Sequence, residues 1–267
     1  MKTRLPELLL VAVCLLTAPF STHAQALSGR DVIERQERQH RAKAEKTTYD
    51  MLLVDSQGRQ RERALTIFVR EGVDELNQIL LKFTAPASIA QVGLLTWEQG
   101  AGRDDDQWLY LPAKRQVKRI ASGGKKNQFM GTDLAFEDLR PENLEAHEYC
   151  ITGEETVAGQ ACWIIEARPA TEKETKESGY SKRVFSVRKD IFFSVKVEYY
   201  DKRGNHLKTT LNEDLKRVEG ARWRSHRSST ENIKRKTKTI MLTASQEIGL
   251  DLAESLFSQN ALKRELR

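Results

Sequence analysis

The sequence predicts an α+β domain: one mostly antiparallel sheet of about eleven strands, with a helix at each end of the chain. Three observations predict it. From Thr47 to Glu247 the apolar residues recur with a period of two, in runs separated by Gly, Asp, Asn and Pro. Before that region and after it the pattern changes to helical spacing behind capping residues. Between Asp106 and Leu139 the alternation breaks into a strand apolar on both parities, a basic ribbon, a glycine pair and a cluster of large apolar side chains.

In order, Ser28 to Lys46 reads as the first helix, with Ser28 as its cap and Asp31 and Glu34 in the positive first turn. Only Val32, Ile33, Ala42 and Ala44 are apolar, so its contact face is narrow. Strands follow at Thr48–Val54, Arg61–Arg70 and Glu75–Phe83, a meander with turns at Asp55–Gly58 and Glu71–Asp74. Leu65, Ile67 and Val69 share one face, as do Ile79, Leu81 and Phe83. Ala85–Gln91 interrupts the sheet and Val92–Trp97 resumes it. The carboxylates between Arg103 and Asp106 lack the interleaved spacing of a calcium loop and read as an acidic turn.

Trp108–Leu111 is apolar on both parities, so both its faces should be covered. Gly123–Lys126 reads as a mobile, solvated connection. Phe129, Met130, Leu134, Phe136 and Leu139 then follow, which suits either a lid over an apolar cavity or a loop anchored to a core. Beyond Pro141, strands are expected at Leu144–Thr152, Ala161–Arg168, Tyr180–Arg188, Phe192–Tyr200, His206–Arg217, Arg222–Asn232 and Lys236–Glu247. Residues Pro169–Gly179 read as a polar loop with no core to offer. Asp251 and Glu254 have capping-box spacing ahead of a terminal helix, whose Leu250, Leu252, Leu256 and Phe257 would dock on the open sheet.

The amino terminus carries Lys2 and Arg4, an apolar run from Leu8 to Leu16 and a small-x-small site ending at Ala24. That is the pattern of a cleaved signal peptide over residues 1–24, followed by one domain over 25–267. Cys14 is followed by further apolar sequence and does not read as a lipid-anchor site. In an oxidising periplasm Cys150 and Cys162, placed on the two strands of a hairpin, are expected to form a disulfide. The formal net charge of +6 invites a nucleic-acid reading, but no recognition motif accompanies it; a charged sheet face or transient contact with anionic lipid accounts for it better.

The order of Trp108–Pro112, Lys118–Ile120, Lys125–Lys126 and Phe129–Leu139, with Val195–Asp201 as a second match, resembles the LolA-like outer-membrane lipoprotein-sorting family. The likeness is to the broader branch and not to the lipoprotein chaperone itself. The resemblance implies an open half-barrel whose concave face is covered by the terminal helices and a short lid segment. It also implies a periplasmic carrier or chaperone that buries acyl chains of lipids or lipoproteins for transport toward the outer membrane. The ligand-lining candidates are Trp97, Trp108, Tyr110, Phe129, Met130, Leu134 and Phe136, and Lys125 and Lys126 are candidates for meeting an anionic head group. An inner-membrane transporter of the resistance-nodulation-division class is the implied protein partner. A non-enzymatic adaptor of such a transporter, with no small ligand, is the alternative.

No Gly-x-Ser-x-Gly elbow, phosphate loop or dinucleotide fingerprint occurs, and the histidines lack metal-ligand spacing. The chain therefore reads as a non-enzyme without cofactor or metal. An apolar groove needs no sharp motif, because burial contributes roughly 0.8 kcal/mol per CH₂ over an area instead of at a point.

Overall fold

The computed structural model describes residues 27–100 and 103–265. The expected signal peptide, including Cys14, lies outside the described residues. Thirteen antiparallel strands form one open sheet in the order β6-β5-β4-β3-β2-β1-β13-β12-β11-β10-β9-β8-β7. The chain lays down β1 (Ala44–Val54), β2 (Gln60–Glu71), β3 (Asn77–Ala85), β4 (Gly93–Trp97), β5 (Asp106–Leu111) and β6 (Gln116–Arg119) as one meander. It then crosses to the far edge and returns through β7 (His147–Val157), β8 (Gln160–Pro169), β9 (Tyr180–Arg188) and β10 (Phe193–Asp201). β11 (His206–Glu219), β12 (Arg222–Asn232) and β13 (Thr237–Ile248) complete the second meander, and β13 pairs with β1. Adjacent strands rotate by roughly 20–25°, so a sheet this wide curls into a half-barrel, and β6 and β7 remain as separate edges.

The topology dictates the crossing. Because β6 and β7 are opposite edges, residues 120–146 must span the sheet, and they do so over its concave face. The short β6, inside what reads in sequence as a basic ribbon, is one strand that the alternation does not reveal.

The first helix, α1 (Gly29–His40), starts where the sequence places it: Asp31 N–H donates to Ser28 Oγ at 3.1 Å and Ser28 N–H to Asp31 Oδ2 at 2.8 Å. It stops six residues earlier than its composition suggests. Lys43 to Lys46 suit a helix, but β2 and β13 offer hydrogen bonds on both sides of Ala44–Lys46, and sheet pairing prevails. Val32 and Ile33 are fully buried against Tyr149, Ile165, Phe185 and Val187, forming the core under α1.

A second core lies on the concave face of β1–β5, where Leu65, Leu81, Phe83, Leu94 and Leu109 meet Phe129 and Phe136. The carboxyl end departs from expectation. It forms two 3₁₀ turns, Glu254–Phe257 and Ala261–Lys263, and packs Phe257 and Leu262 on the opposite, convex face against Leu80, Leu95, Trp108 and Tyr110. Strands apolar on both parities need a cover on each side, and this segment is the outer one. Gly93 permits it, since a Cβ there would stand 2.9 Å from Leu262 Cδ2.

The expected disulfide is not formed: both cysteines are free. Ala158 and Gly159, at φ 48° and 77°, make a two-residue turn that fixes the β7–β8 register. Cys150 then stands opposite Glu166 and Cys162 opposite Glu155. The four-residue offset from Cys162 to Glu166 separates the cysteines by roughly 13 Å along the strands, beyond the ~7 Å that a bridge tolerates. Under native conditions a maleimide is expected to label exposed Cys150 quickly and buried Cys162, whose thiol pKa burial raises, only on unfolding. Reductant should leave the melting temperature unchanged. An unlabelled native protein that gains two thiols after reduction would restore the bridge.

Candidate functional site: a cavity under the first helix

Two further expectations are corrected around the crossing segment. Residues Gly123–Lys126 are not a solvated hinge: Lys125 is buried, with Nζ 2.7 Å from Glu174 Oε2. That glutamate belongs to a short helix, α2 (Glu172–Glu177), inside the stretch expected to be a coreless polar loop. Lys126 is exposed, as a head-group candidate requires; Lys125 is not.

The segment Phe129–Leu139 is stapled to three separate places. Asp133 accepts from the hydroxyls of Thr237 and Thr239 on β13 and donates its N–H to Thr239 Oγ1 at 2.8 Å. Glu137 accepts from Ser178 Oγ at 2.8 Å and Gly179 N–H at 2.7 Å. Asp138 accepts from Tyr180 hydroxyl on β9 at 2.8 Å and pairs with the buried ammonium of Lys208 on β11. Lys208 also donates to the Asp133 carbonyl at 3.0 Å. Phe129, stacked on Phe83 and in edge contact with Phe136, anchors the apolar side.

Beside this plug is a cavity of about 500 Å³. Its roof is α1, one wall is Asp138–Pro141, and its floor is the concave sheet, including Ile67, Ile79, Leu81 and Leu94. The volume lies within the roughly 300–1,000 Å³ of small-molecule sites, and an apolar floor beneath polar walls is their usual composition.

Most polar groups of the walls are already committed. His40 Nε2 faces the carbonyls of Ile191 and Phe192, and Nδ1 accepts from Trp223 N–H at 3.2 Å; burial lowers its pKa, so it is a neutral structural imidazole. Glu45 is buried, which works against its charge, but the Arg224 guanidinium at 2.7 Å holds its pKa below the usual carboxylate range. In an adjoining cavity of about 200 Å³, Glu142 and Arg183 form two parallel bonds of 2.7 Å. Burial opposes ionisation of Glu142, yet Arg183, His147 and the Tyr149 hydroxyl bring its pKa down to about 2.

Two wall groups keep spare capacity. Arg140 has its Nη1 3.6 Å from Asp105 and a buried Nε with no partner. Glu37 faces the cavity from α1 without an ion pair among the described residues, and burial, with Glu142 nearby, pushes its pKa from 4.5 to about 7. The folded chain therefore binds a proton more tightly there than the unfolded chain does, and stability falls as pH rises through that window. Replacing Glu37→Gln is expected to add up to about 3 kcal/mol to the unfolding free energy at pH 8 and almost nothing at pH 4. Urea titrations at both pH values check this; an equal effect at each would assign the proton elsewhere.

The structure separates the seven residues singled out in sequence. Trp97, Trp108 and Tyr110 pack on the convex face with the carboxyl-terminal segment, Trp97 Nε1 donating to the Phe257 carbonyl at 2.8 Å. Phe129, Met130, Leu134 and Phe136 belong to the plug on the concave face. None of the seven is among the residues lining the cavity under α1. Its floor residues were visible only as members of alternating strands. Neither Glu37, within the charged first helix, nor Lys208, within the strand expected at His206–Arg217, stood out in the sequence. No local signal distinguishes them; only the register that aims them inward does.

A family model described only as an uncharacterized protein matches residues 75–264. No curated protein matches the chain. Among solved structures, a putative outer membrane lipoprotein-sorting protein domain from Vibrio parahaemolyticus superposes with a TM-score of 0.82 at 29% identity, over 88% of this chain and 98% of that one. A DUF1329 family protein from Desulfovibrio piger gives 0.81 at 27% identity, over 88% and 97%. A LolA superfamily protein from Nitrosomonas europaea gives 0.68 at 16% identity, over 88% and 100%, a likeness of fold alone.

Proposed function

Because the chain belongs to the family of that model, in the broader branch of the LolA-like outer-membrane lipoprotein-sorting proteins, we propose that it is a periplasmic carrier that holds acyl chains of lipids or lipoproteins for delivery toward the outer membrane. The observation that carries the reading is the cavity of about 500 Å³ with its Ile67, Ile79, Leu81 and Leu94 floor. An acyl chain laid along that floor gains roughly 0.8 kcal/mol per buried CH₂, so ten methylenes supply about 8 kcal/mol before association costs. Glu37 and Arg140 leave hydrogen-bonding capacity for the polar end of an amphiphile.

The lining differs from the one expected in sequence. Phe129 and Phe136 belong to the core that anchors the plug, and the cargo lies beside the plug, against Asp138–Pro141 and under α1. No residue is assigned a catalytic step.

Native mass spectrometry of the protein from its own periplasm, followed by organic extraction, tests the reading. Bound acyl species are expected in the wild type. Ile67→Trp, which fills the floor of the cavity, should remove them while the circular dichroism spectrum and melting cooperativity persist. A clean apo mass that stays unchanged after incubation with lipid vesicles would favour the adaptor of a resistance-nodulation-division transporter instead.

A further inference from the structure

We propose that a rim of three neighbouring hairpin turns is the surface with which this protein docks on an anionic lipid bilayer. The inference deepens the carrier reading, since a carrier must meet a membrane to load or unload, but the geometry behind it does not involve the cavity.

Strand order sets β2, β1, β13, β12, β11 and β10 side by side. Their registers bring Val54 beside Lys238, Thr237 beside Asn232, Asn232 beside Lys208, and His206 beside Tyr200. The turns at residues 55–59, 233–236 and 202–205 therefore share one rim. On it Arg61, Arg203, Lys234, Arg235 and Lys236 are exposed and make no ion pair among the described residues. The turn carboxylates offset them only in part, Asp201 lying close enough to Arg203 for the two charges to interact. Asp55 is bonded to Arg59 and to the N–H groups of Gln57 and Arg59, and Asp201 accepts from the N–H groups of Arg203 and Asn205.

At the start of the central turn, directly before Lys234, Ile233 is 47% exposed. Here an exposed apolar side chain stands directly beside three consecutive cations, Lys234, Arg235 and Lys236. That pairing suits the lipid interface, where the apolar group enters the head-group layer and the cations meet phosphates. It suits nucleic acid less well, because the rim offers no helix for a groove and its half-buried aromatic pair, Tyr200 and His206, is stacked ring on ring. The opposite rim is different in kind: exposed Val73 is followed by Asp74 and Glu75, and Glu219 and Asp251 lie at the same end. At that end Glu219 pairs with Arg222, so among the described residues no comparable excess of unpaired cations gathers there and an anionic surface would favour the turn rim.

The test is flotation of the full mature chain with vesicles of phosphatidylcholine alone or with phosphatidylglycerol. Binding is expected only with phosphatidylglycerol, and it should fade as the screening length falls from ~10 Å at 0.1 M salt to ~3 Å at 1 M. Combining Lys234→Gln, Arg235→Gln and Lys236→Gln should weaken partitioning about a hundredfold, at roughly fivefold per cation. The turn itself should survive, because it is held by the Arg235 N–H donating to Asn232 Oδ1 at 2.9 Å. Ile233→Ser should give a smaller loss, and Lys43→Gln, away from this rim, should give none.

No flotation of the wild type with phosphatidylglycerol at low salt overturns the proposal. So does a triple variant that floats as well as the wild type, or equal binding to neutral vesicles. Acyl content is read on the same samples: missing cargo with intact flotation would sink the carrier reading alone.

Discussion

Lys208→Met is expected to cost about 3–5 kcal/mol of stability, because it strands the Asp138 carboxylate in the interior. Both side chains of the pair are almost fully buried, at 3% and 4% exposure, and the ammonium also holds the Asp133 carbonyl. Tyr180 hydroxyl and Ala135 N–H still donate to Asp138, so the carboxylate is expected to stay in the site. The companion Asp138→Asn, made together with Lys208→Met, removes both charges and should recover a large part of the loss. Urea denaturation of the two single variants and the double gives the coupling directly. Amide hydrogen exchange adds location: protection over residues 131–139 should fall in Lys208→Met more than it does in α1. If stability stays unchanged and only cargo affinity moves, the segment is a hinged lid and not the stapled plug described here.

Glu142→Gln is expected to destabilise the protein by about 3–5 kcal/mol at pH 7, since Arg183 would remain buried with half of its partner gone. The same substitution should change the acid limb of the stability curve. Glu142 has its pKa lowered from 4.5 to about 2 by Arg183, against the opposing effect of burial. A depressed carboxylate contributes stability that is complete above the unfolded value and disappears as pH falls toward the folded one, here from about 4.5 to about 2. The contribution is on the order of 3 kcal/mol. Glu37 slopes the other way, losing stability as pH rises from 4.5 to about 7. These two groups together place the most stable pH at about 4.5. Urea midpoints of the wild type should fall steeply below pH 4 and those of Glu142→Gln should be flatter. Parallel curves would mean that the pair does not titrate with unfolding.

Which parts of this were legible in the sequence follows from the range of the forces involved. The cap at Ser28, the turn at Asp55–Gly58 and the alternation of Leu65–Val69 and Ile79–Phe83 are local, and each stands where the sequence puts it. The two-parity run Trp108–Leu111 announced that both faces would be covered, and they are. What covers each face was not legible, because Phe129 and Phe257 are equally apolar and nothing local assigns one to the concave side and the other to the convex.

The cysteine pairing failed for a related reason. A register change in a hairpin leaves composition untouched, and the Ala158–Gly159 turn moved the partners of Cys150 and Cys162 to glutamates. Charged residues were the least legible. Lys125, Glu174, Asp138 and Lys208 look like surface residues by type, yet each is buried because a partner from a distant strand or turn offsets its desolvation.

By itself, then, the sequence determined a wide antiparallel sheet behind a capped amphipathic helix, since period and capping act within a few residues. Tertiary structure alone decided that the crossing segment would be a plug, that the cavity would open under α1, and that cations from three separate turns would gather on one rim. Those depend on which strands become neighbours, and neighbours separated by 70 or more residues are chosen by the closing of the whole sheet.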